Sequence, residues 1–533
     1  MSEGADAFRS PPPEVRLVAA FERPFDGAVA AARTCYSSKG IVWPEEVGGD
    51  SLPEGRRDEA IRRRNELARD IYRAGHHTVF QHAHFEFAID RISRHALWSF
   101  FHAHPFYNSE QVSQRYVKVE PGAAAVPRLS EPAAGIYERV LARLQEAYRD
   151  LSVRLEPVAE RIFFEIFPAR RGTARRWRRE IRRRAQEAAR YVLPVATWAR
   201  LYHTVSAVTL LRYHRLARLP DLPTEVQYVV RRMVEEVLRW DPSYAEVLEQ
   251  PLPDEALPEN RTLEGLGGAV DPGRADRFAR EFDAELGGRV SRLVGFAPDA
   301  EATVAQAVRE VLGVPRADLD DDAALRLAAD PARNPMYGES LNLTSIAKIT
   351  RALHHAQYTF RRKLSHTADS QDQRHRMTPA SRPVLVAHLR DEPDVVLPAL
   401  ALEEEPIRRR FDEAMALAWE GIGRLRREGA PREALVYLLP NAVAVRATES
   451  ADFLALRHKH AMRLCYNAQE EIWRASLDEA LQVSRVHPRL GAFLLPPCTI
   501  RRRAGKKPFC PEGRRYCGVP VWGLEPRDYV RRL

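Results

Sequence analysis

The sequence predicts an α+β protein in which one sheet-and-helix domain is built twice. Three observations lead there. At 533 residues the chain exceeds what a single hydrophobic core normally serves, so two or more domains are expected. Short segments of apolar–polar alternation, the mark of a half-buried strand, are interspersed with stretches of helical periodicity. Three pairs of segments also resemble each other in the same order along the chain, which points to duplication.

The first pair is "EVRLVAAFERPFDGAVAAARTCY", Glu14 to Tyr36, and "RVSRLVGFAPDAEATVAQAVREVL", Arg289 to Leu312. Each reads as a short apolar strand, a turn with Pro and Asp, and an Ala-rich helix carrying Arg33 or Arg309. The second pair, "HAHFEF" from His82 and "HAQYTF" from His355, alternates as a strand does. His82 and His355 stand beside the strand aromatics and read as satisfied core histidines rather than ligands. The third pair is "AQEAARYVLPVATWARLYHTV" from Ala185 and "PREALVYLLPNAVAVRATESA" from Pro431, each a helix entering a Leu-Pro kink, because proline lacks a backbone donor. The repeats are therefore placed at residues 14–240 and 288–490, followed by a Cys-containing tail at 491–533. The linker at 241–287 is rich in Pro and Asp and reads as loop. Its Gly265, Gly267 and Gly268 follow no strand and make no dinucleotide fingerprint.

Lys plus Arg (82) minus Asp plus Glu (73) leaves +9, a balance suited to anionic small molecules or nucleic acid. Much of the excess sits in "RRGTARRWRREIRRR", Arg170 to Arg184, which reads as a solvated helix face. That run offers only Trp177 for base stacking, which makes nucleic acid an unfavoured partner. No apolar run is long enough to cross a bilayer, and "MSEGADAFRSPPPEVRLVAAF" has no signal-peptide pattern, so a cytoplasmic, membrane-free protein is expected. Five cysteines are odd in number and sparse, which argues against a disulfide framework.

The most informative motifs are "NSEQVSQRYVKV", holding Glu110, Gln111, Ser113, Arg115 and Tyr116, and "DSQDQRHRMTPASRP", holding Gln371 and Arg374-His375-Arg376. Together with "AARTCY" and "HHTVFQHAHFEF" they resemble the flavin-dependent thymidylate synthases, whose signature reads R-H-R-x-x-S-x-N-E-x-S-x-R-Y. Here the signature is divided. The first half keeps its end but has Ala103, His104 and Pro105 at the R-H-R positions; the second keeps R-H-R but has Pro379, Ser381, Arg382 and Pro383 where the tail would be.

The resemblance implies reductive methylation of dUMP to dTMP with methylenetetrahydrofolate, NADPH and FAD, at a composite site to which both repeats contribute. It also implies a pseudo-tetramer assembled as a homodimer. Residue by residue, it assigns dUMP to Gln111, Ser113, Arg115, Arg190, Gln371 and Arg374, and FAD to His76, Thr78, Arg374, His375 and Arg376. Arg463, in "RLCYNAQEEIW", would polarise the uracil ring, with Gln469, Glu471 and Ile472 supporting the register. Arginines suit such ligands because their planar donor fork grips phosphate at two points. The family's second flavin patch is replaced by Ser206, Val208 and Arg212 in one half and by Asp452, Leu454 and His458 in the other. That loss leaves a non-catalytic nucleotide- or nucleic-acid-binding relative as the alternative. In the tail, Cys498, Cys510 and Cys517, with a histidine such as His487, offer the donors of a structural zinc site.

Overall fold

The computed structural model describes residues 5–50, 52–103 and 106–533. The first half runs β1 (Glu14–Ala20), α1 (Pro24–Thr34), α2 (Glu54–Arg73), β2 (His84–Ser93), β3 (Asn108–Gln111), α3 (Glu131–Ile166), α4 (Ala174–Ala189), β4 (Trp198–Ser206), α5 (Ala207–Arg215) and α6 (Pro223–Trp240). Two helices follow, α7 (Pro258–Gly265) and α8 (Pro272–Leu286). The second half runs β5 (Ser291–Phe296), α9 (Ala300–Leu312), α10 (Asp321–Ala329), β6 (Gln357–Ser365), α11 (His366–Asp372), β7 (Ala380–Ser381), α12 (Glu405–Arg427), α13 (Arg432–Tyr437), β8 (Ala444–Asp452), α14 (Phe453–Arg463), α15 (Glu470–Val486) and α16 (Pro497–Arg503).

The strands form two four-stranded antiparallel sheets with the same order, β1-β2-β4-β3 and β5-β6-β8-β7. The duplication extends to a defect. Each first strand carries a bulge, between Leu17 and Ala19 and between Leu293 and Gly295. A helix side chain accepts from the backbone N–H beside it: Glu236 of α6 from Leu17 at 3.3 Å, and Gln482 of α15 from Leu293 at 3.0 Å. A bulge interrupts its ladder, so each repeat supplies a side-chain acceptor where the sheet does not.

The helices follow their end signals. Helix α1 begins with Pro24, has Asp26 in its first turn and Arg33 in its last, and buries Phe25, Ala28, Val29 and Ala32 along one face. Ser93 and Ser365 close β2 and β6, and each hydroxyl accepts from the backbone N–H three residues on, at 3.0 and 3.1 Å, starting the next helical turn.

The compact units are not the repeats taken one at a time. Unit 1 holds residues up to 143, 194–271 and 418–439; unit 2 holds 144–193, 272–417 and 440–533. Unit 1 thus contains the first sheet plus α13 from the second half, and unit 2 contains the second sheet plus α4 from the first. Within unit 1, α3 and α12 pack so closely that a Cβ on Gly421 would stand 2.5 Å from Val140 Cγ2.

Three expectations need correction. The linker is not all loop, since α7 and α8 lie in it; both open with proline, which the first helical position tolerates because its N–H would be unpaired anyway. His82 and His355 are exposed rather than core residues, because they lie where a short helical turn ends before the strand, His82 just after it and His355 as its last residue. The Leu-Pro pairs end helical turns rather than kink continuous helices: the turn at 190–192 stops before Pro194 and α13 stops before Pro440. Among the described residues no helix is long and apolar enough to cross a membrane.

Candidate functional site

Both units share a buried three-residue scaffold. In unit 2, Glu471 in the first turn of α15 accepts from the backbone N–H and the hydroxyl of Ser365, both at 2.6 Å, and from the Tyr191 hydroxyl at 2.6 Å. In unit 1, Glu225 accepts from the N–H and hydroxyl of Ser93, both at 2.6 Å, and from Tyr437 at 2.8 Å. Each tyrosine comes from the other repeat's sequence. Burial pushes both carboxyls up to about 7 although three donors favour the ionised form. Burial, then the adjacent carboxyl, holds each tyrosine well above its usual value, so both hydroxyls keep their protons.

In unit 2 a polar layer is built on this scaffold. Gln469, at the N-cap of α15, donates its amide to the Tyr191 oxygen at 2.5 Å; its carbonyl accepts from Arg190 at 3.0 Å and also from Gln371. Arg463, at the end of α14, donates to the Gln371 backbone carbonyl at 2.6 Å, and its Nε lies 3.5 Å from Asp372. Arg190, Gln371 and Arg463, singled out in the sequence, are thus joined through Gln469 and Asp372. A small cavity opening to solvent lies against Tyr191 and Gln469.

Asp372 belongs to a buried ionic cluster. It lies 2.6 Å from Arg362 and 2.9 Å from Lys459; Arg362 also reaches Glu449 at 2.8 Å and Glu479 at 3.2 Å, and Lys459 pairs with Glu449. Three cations, Arg362, Lys459 and Arg463, therefore face three carboxylates, Asp372, Glu449 and Glu479. Desolvation raises Asp372, but Arg362, Lys459 and Arg463 together outweigh it and hold the carboxyl well below its usual range.

The Arg374–Arg376 loop starts at the end of α11. Arg382 binds Asp369 at 2.6 Å, and the Thr378 hydroxyl donates to the His375 carbonyl at 2.9 Å, holding the loop against that helix. His375 is kept well below its usual value by burial and then by Arg463, so its imidazole is neutral at pH 7.

The remaining sequence-predicted residues lie in unit 1. Gln111 ends β3 and accepts from Arg94 at 3.3 Å; Ser113 accepts from the Arg115 backbone N–H at 3.3 Å; the Arg115 guanidinium sits 5.8 Å from the Tyr116 ring centre. His76 and Thr78 are exposed, at the start of a helical turn over His77–Gln81. Of the first half's R-H-R positions, His104 and Pro105 lie outside the described residues.

Of the positions that stand where the family's second patch is expected, Arg212 and His458 are exposed and the other four are taken up by the fold. Ser206 and Asp452 cap α5 and α14, and Val208 and Leu454 are buried. In the tail, His487 is engaged at both ring nitrogens, by the Tyr358 hydroxyl at 2.9 Å and the Pro298 carbonyl at 3.2 Å, so it is not the expected zinc ligand. Burial pushes the Cys498 thiol up to about 11, and among the described residues no group of three or more His, Cys, Asp or Glu is gathered to hold a metal ion. The tail instead clamps the segment between Arg463 and Gln469. Asn467 donates to the Arg515 carbonyl at 2.6 Å, Tyr466 to the Val530 carbonyl at 3.0 Å, and Arg531 to the Ala468 carbonyl at 2.8 Å.

Sequence reasoning missed Tyr191, the structural role of Glu471, and Asp372. A signal was present for two of them: tyrosine stands shortly before Leu-Pro in both repeats, and glutamate lies in the first turn of the second helix after it in both.

A flavin-dependent thymidylate synthase from Clostridium tetani is 25% identical over 233 residues, covering 43% of this chain and 84% of that protein. Another, from Nitratidesulfovibrio vulgaris, is 28% identical over 209 residues, covering 38% and 72%. The UMP/dUMP methylase PolB from Streptomyces cacaoi, solved with 5-Br dUMP, is 19% identical with a TM-score of 0.30, over 44% of this chain and 93% of that one. The family model of the thymidylate synthase complementing protein matches residues 16–243 and again 292–489. With most of its length inside those two matches, the chain belongs to the thymidylate synthase complementing protein family and carries the family's domain in tandem.

Proposed function

We propose that the protein is a flavin-dependent thymidylate synthase that methylates dUMP reductively to dTMP, with methylenetetrahydrofolate and NADPH as co-substrates. The observation that carries this reading is the convergence of Arg190 from the first repeat with Gln371 and Arg463 from the second, joined through Gln469. The relatives named for the same activity support it.

In this reading Arg190 and Gln371 hold the nucleotide, each charge-assisted bond contributing about 1.5–3 kcal/mol when shielded from water. Arg463, oriented by Asp372 and the Gln371 carbonyl, draws electron density toward a pyrimidine carbonyl so that the ring carbon attacks. The loop of Arg374, neutral His375 and Arg376 offers the cationic and imidazole donors that suit the pyrophosphate of FAD. The flavin, when bound, supplies the hydride. Gln111, Ser113, Arg115, His76 and Thr78 belong to the same proposal, as the complementary face of a composite site in a dimer.

The occupied capping side chains of Ser206 and Asp452, and the burial of Val208 and Leu454, favour a second reading, a relative that binds nucleotide without turnover. Absorbance separates the two. Purified protein with a flavin band that dUMP perturbs supports the enzyme; colourless protein that takes up no added FAD refutes it. Arg376→Ala and Arg115→Ala should abolish dUMP-dependent flavin oxidation, whereas Arg33→Ala should retain it. Equal activity in all three would remove the composite site.

A further inference from the structure

The two units keep the same scaffold but not the same polar layer. Counting from the shared Ser, Tyr and Glu positions, Gln469 of unit 2 corresponds to Pro223 in unit 1, Arg463 to Ala217, Arg190 to Val436 and Gln371 to Ser99. The Ser–Tyr–Glu group thus persists in unit 1 with the buried Glu433 beside it, accepting from the Tyr437 hydroxyl at 3.2 Å and from the Glu225 backbone N–H at 3.1 Å, whereas in unit 2 it is coupled to Gln469.

The coupling has a direction. Tyr191 gives its proton to Glu471 at 2.6 Å, so its oxygen lone pair receives the Gln469 amide at 2.5 Å. An amide has one donor end and one acceptor end. With the NH2 turned to Tyr191, the carbonyl must face Arg190 and Gln371, both of which donate to it. Reversing the Tyr191 bond would turn the amide and bring its NH2 against the Arg190 guanidinium, donor against donor.

We propose that Tyr191 and Glu471 are positioning residues that fix the amide orientation of Gln469, and through it the placement of Arg190 and Gln371 for a nucleotide. The proposal rests on the reading of this site as a dUMP pocket. The carboxylate form of Glu471 sets the working polarity. Protonated on Oε2, Glu471 can donate to the Tyr191 oxygen while Oε1 still accepts from the Ser365 N–H, which frees the Tyr191 proton to turn toward Gln469. The groups facing Glu471 are Ser365 from β6, Tyr191 from the first repeat and Glu470 on its own helix, with Arg190 beyond Tyr191. Burial places the Glu471 transition at about 7, where a physiological pH change would move it.

Unit 1 provides the control, since Tyr437 donates to Glu225 as Tyr191 does to Glu471, but its second neighbour is Glu433 at 3.2 Å and Pro223 stands in place of Gln469. The test is calorimetric titration of full-length Y191F, E471Q, Y437F and E225Q with dUMP from pH 6 to 8. Y191F should lower dUMP affinity about tenfold, the effect of one well-placed hydrogen bond, and Y437F should stay within about twofold. Wild type and E225Q should lose affinity alike as pH falls through about 7. E471Q, fixed in the neutral form, should be weak throughout and lack that limb. Wild-type protein that binds dUMP while Y191F matches Y437F, or E471Q matches E225Q, would overturn the relay alone. Wild-type protein that takes up no dUMP at any pH would overturn the pocket and the relay together.

Discussion

Asp372→Asn is the sharpest perturbation of the ionic cluster. Asp372 lies 2.6 Å from Arg362, 2.9 Å from Lys459 and 3.5 Å from Arg463, and neither Arg362 nor Lys459 reaches solvent. The amide nearly conserves volume, so packing contributes little; what changes is that two buried cations and the half-buried Arg463 would face two carboxylates. Breaking one member of a buried ion pair costs about 3–5 kcal/mol, because the stranded charge keeps its desolvation penalty. At a urea m-value of about 3 kcal/mol/M, the midpoint should fall by roughly 1–1.7 M. The loss should also depend on pH. Asp372 is depressed in the folded state, so its stabilisation is present above its unfolded value near 3.8 and is lost as pH falls through the lower folded value. Urea unfolding followed by circular dichroism from pH 7 down to pH 2 measures both, the gap narrowing by only about 0.6 kcal/mol by pH 3.5 and further below it. A loss under about 1 kcal/mol at pH 7, or a gap between wild type and variant that fails to narrow in acid, would refute the account of Asp372 as the ionised centre of the cluster.

Glu225 and Glu471 predict the opposite slope: each is raised from 4.5 to about 7, so each contributes stability below its unfolded value that is lost as pH rises through about 7. The shift amounts to about 3 kcal/mol per group, and E225Q/E471Q together should flatten thermal stability between pH 5 and pH 8, measured by calorimetry. Gly421→Ala adds a Cβ 2.5 Å from Val140 Cγ2, so the overpacking, about 1–3 kcal/mol, should outweigh the roughly 1 kcal/mol that alanine gains in helix propensity. Adding V140A should restore the urea midpoint. Tyr466→Phe removes the bond from the Arg463–Gln469 segment to the Val530 carbonyl, and should speed proteolysis of the tail with a stability loss of about 1 kcal/mol.

The duplication and its strand and helix segments were legible because they rest on local periodicity and on three pairs of similar segments in the same order. Arg190, Gln371 and Arg463 were legible as motif positions. The linker was misread because Pro258 and Pro272 were taken as breakers rather than helix openers, although Ala275, Ala279, Phe282 and Leu286 already mark a buried face on α8. Asp372, Lys459 and Glu449 leave no local trace: they come from α11, α14 and β8, and their pairing is set by tertiary packing. The exchange of Tyr191 and Tyr437 between repeats was equally hidden, since periodicity cannot say which copy of a helix a strand will meet.

The unequal interiors explain why one unit carries the polar layer. Cross-strand pairing places Ile89 where unit 2 has Arg362, and His203 where it has Glu449. The same alignment puts Tyr213 at the Lys459 position and Phe100 at the Asp372 position. Unit 1 fills that space with rings: Phe100 and Tyr213 lie 5.1 Å apart, and the Tyr213 hydroxyl donates to the Phe101 carbonyl at 3.1 Å. Aromatic filling supports the same sheet order without desolvating charge, so stability alone does not require the ions. What rings cannot do is present a carboxylate to a guanidinium at the edge of the core. In unit 2 that is the service Asp372 performs for Arg463, and in unit 1 the corresponding residue is the buried Ala217, which needs no such partner.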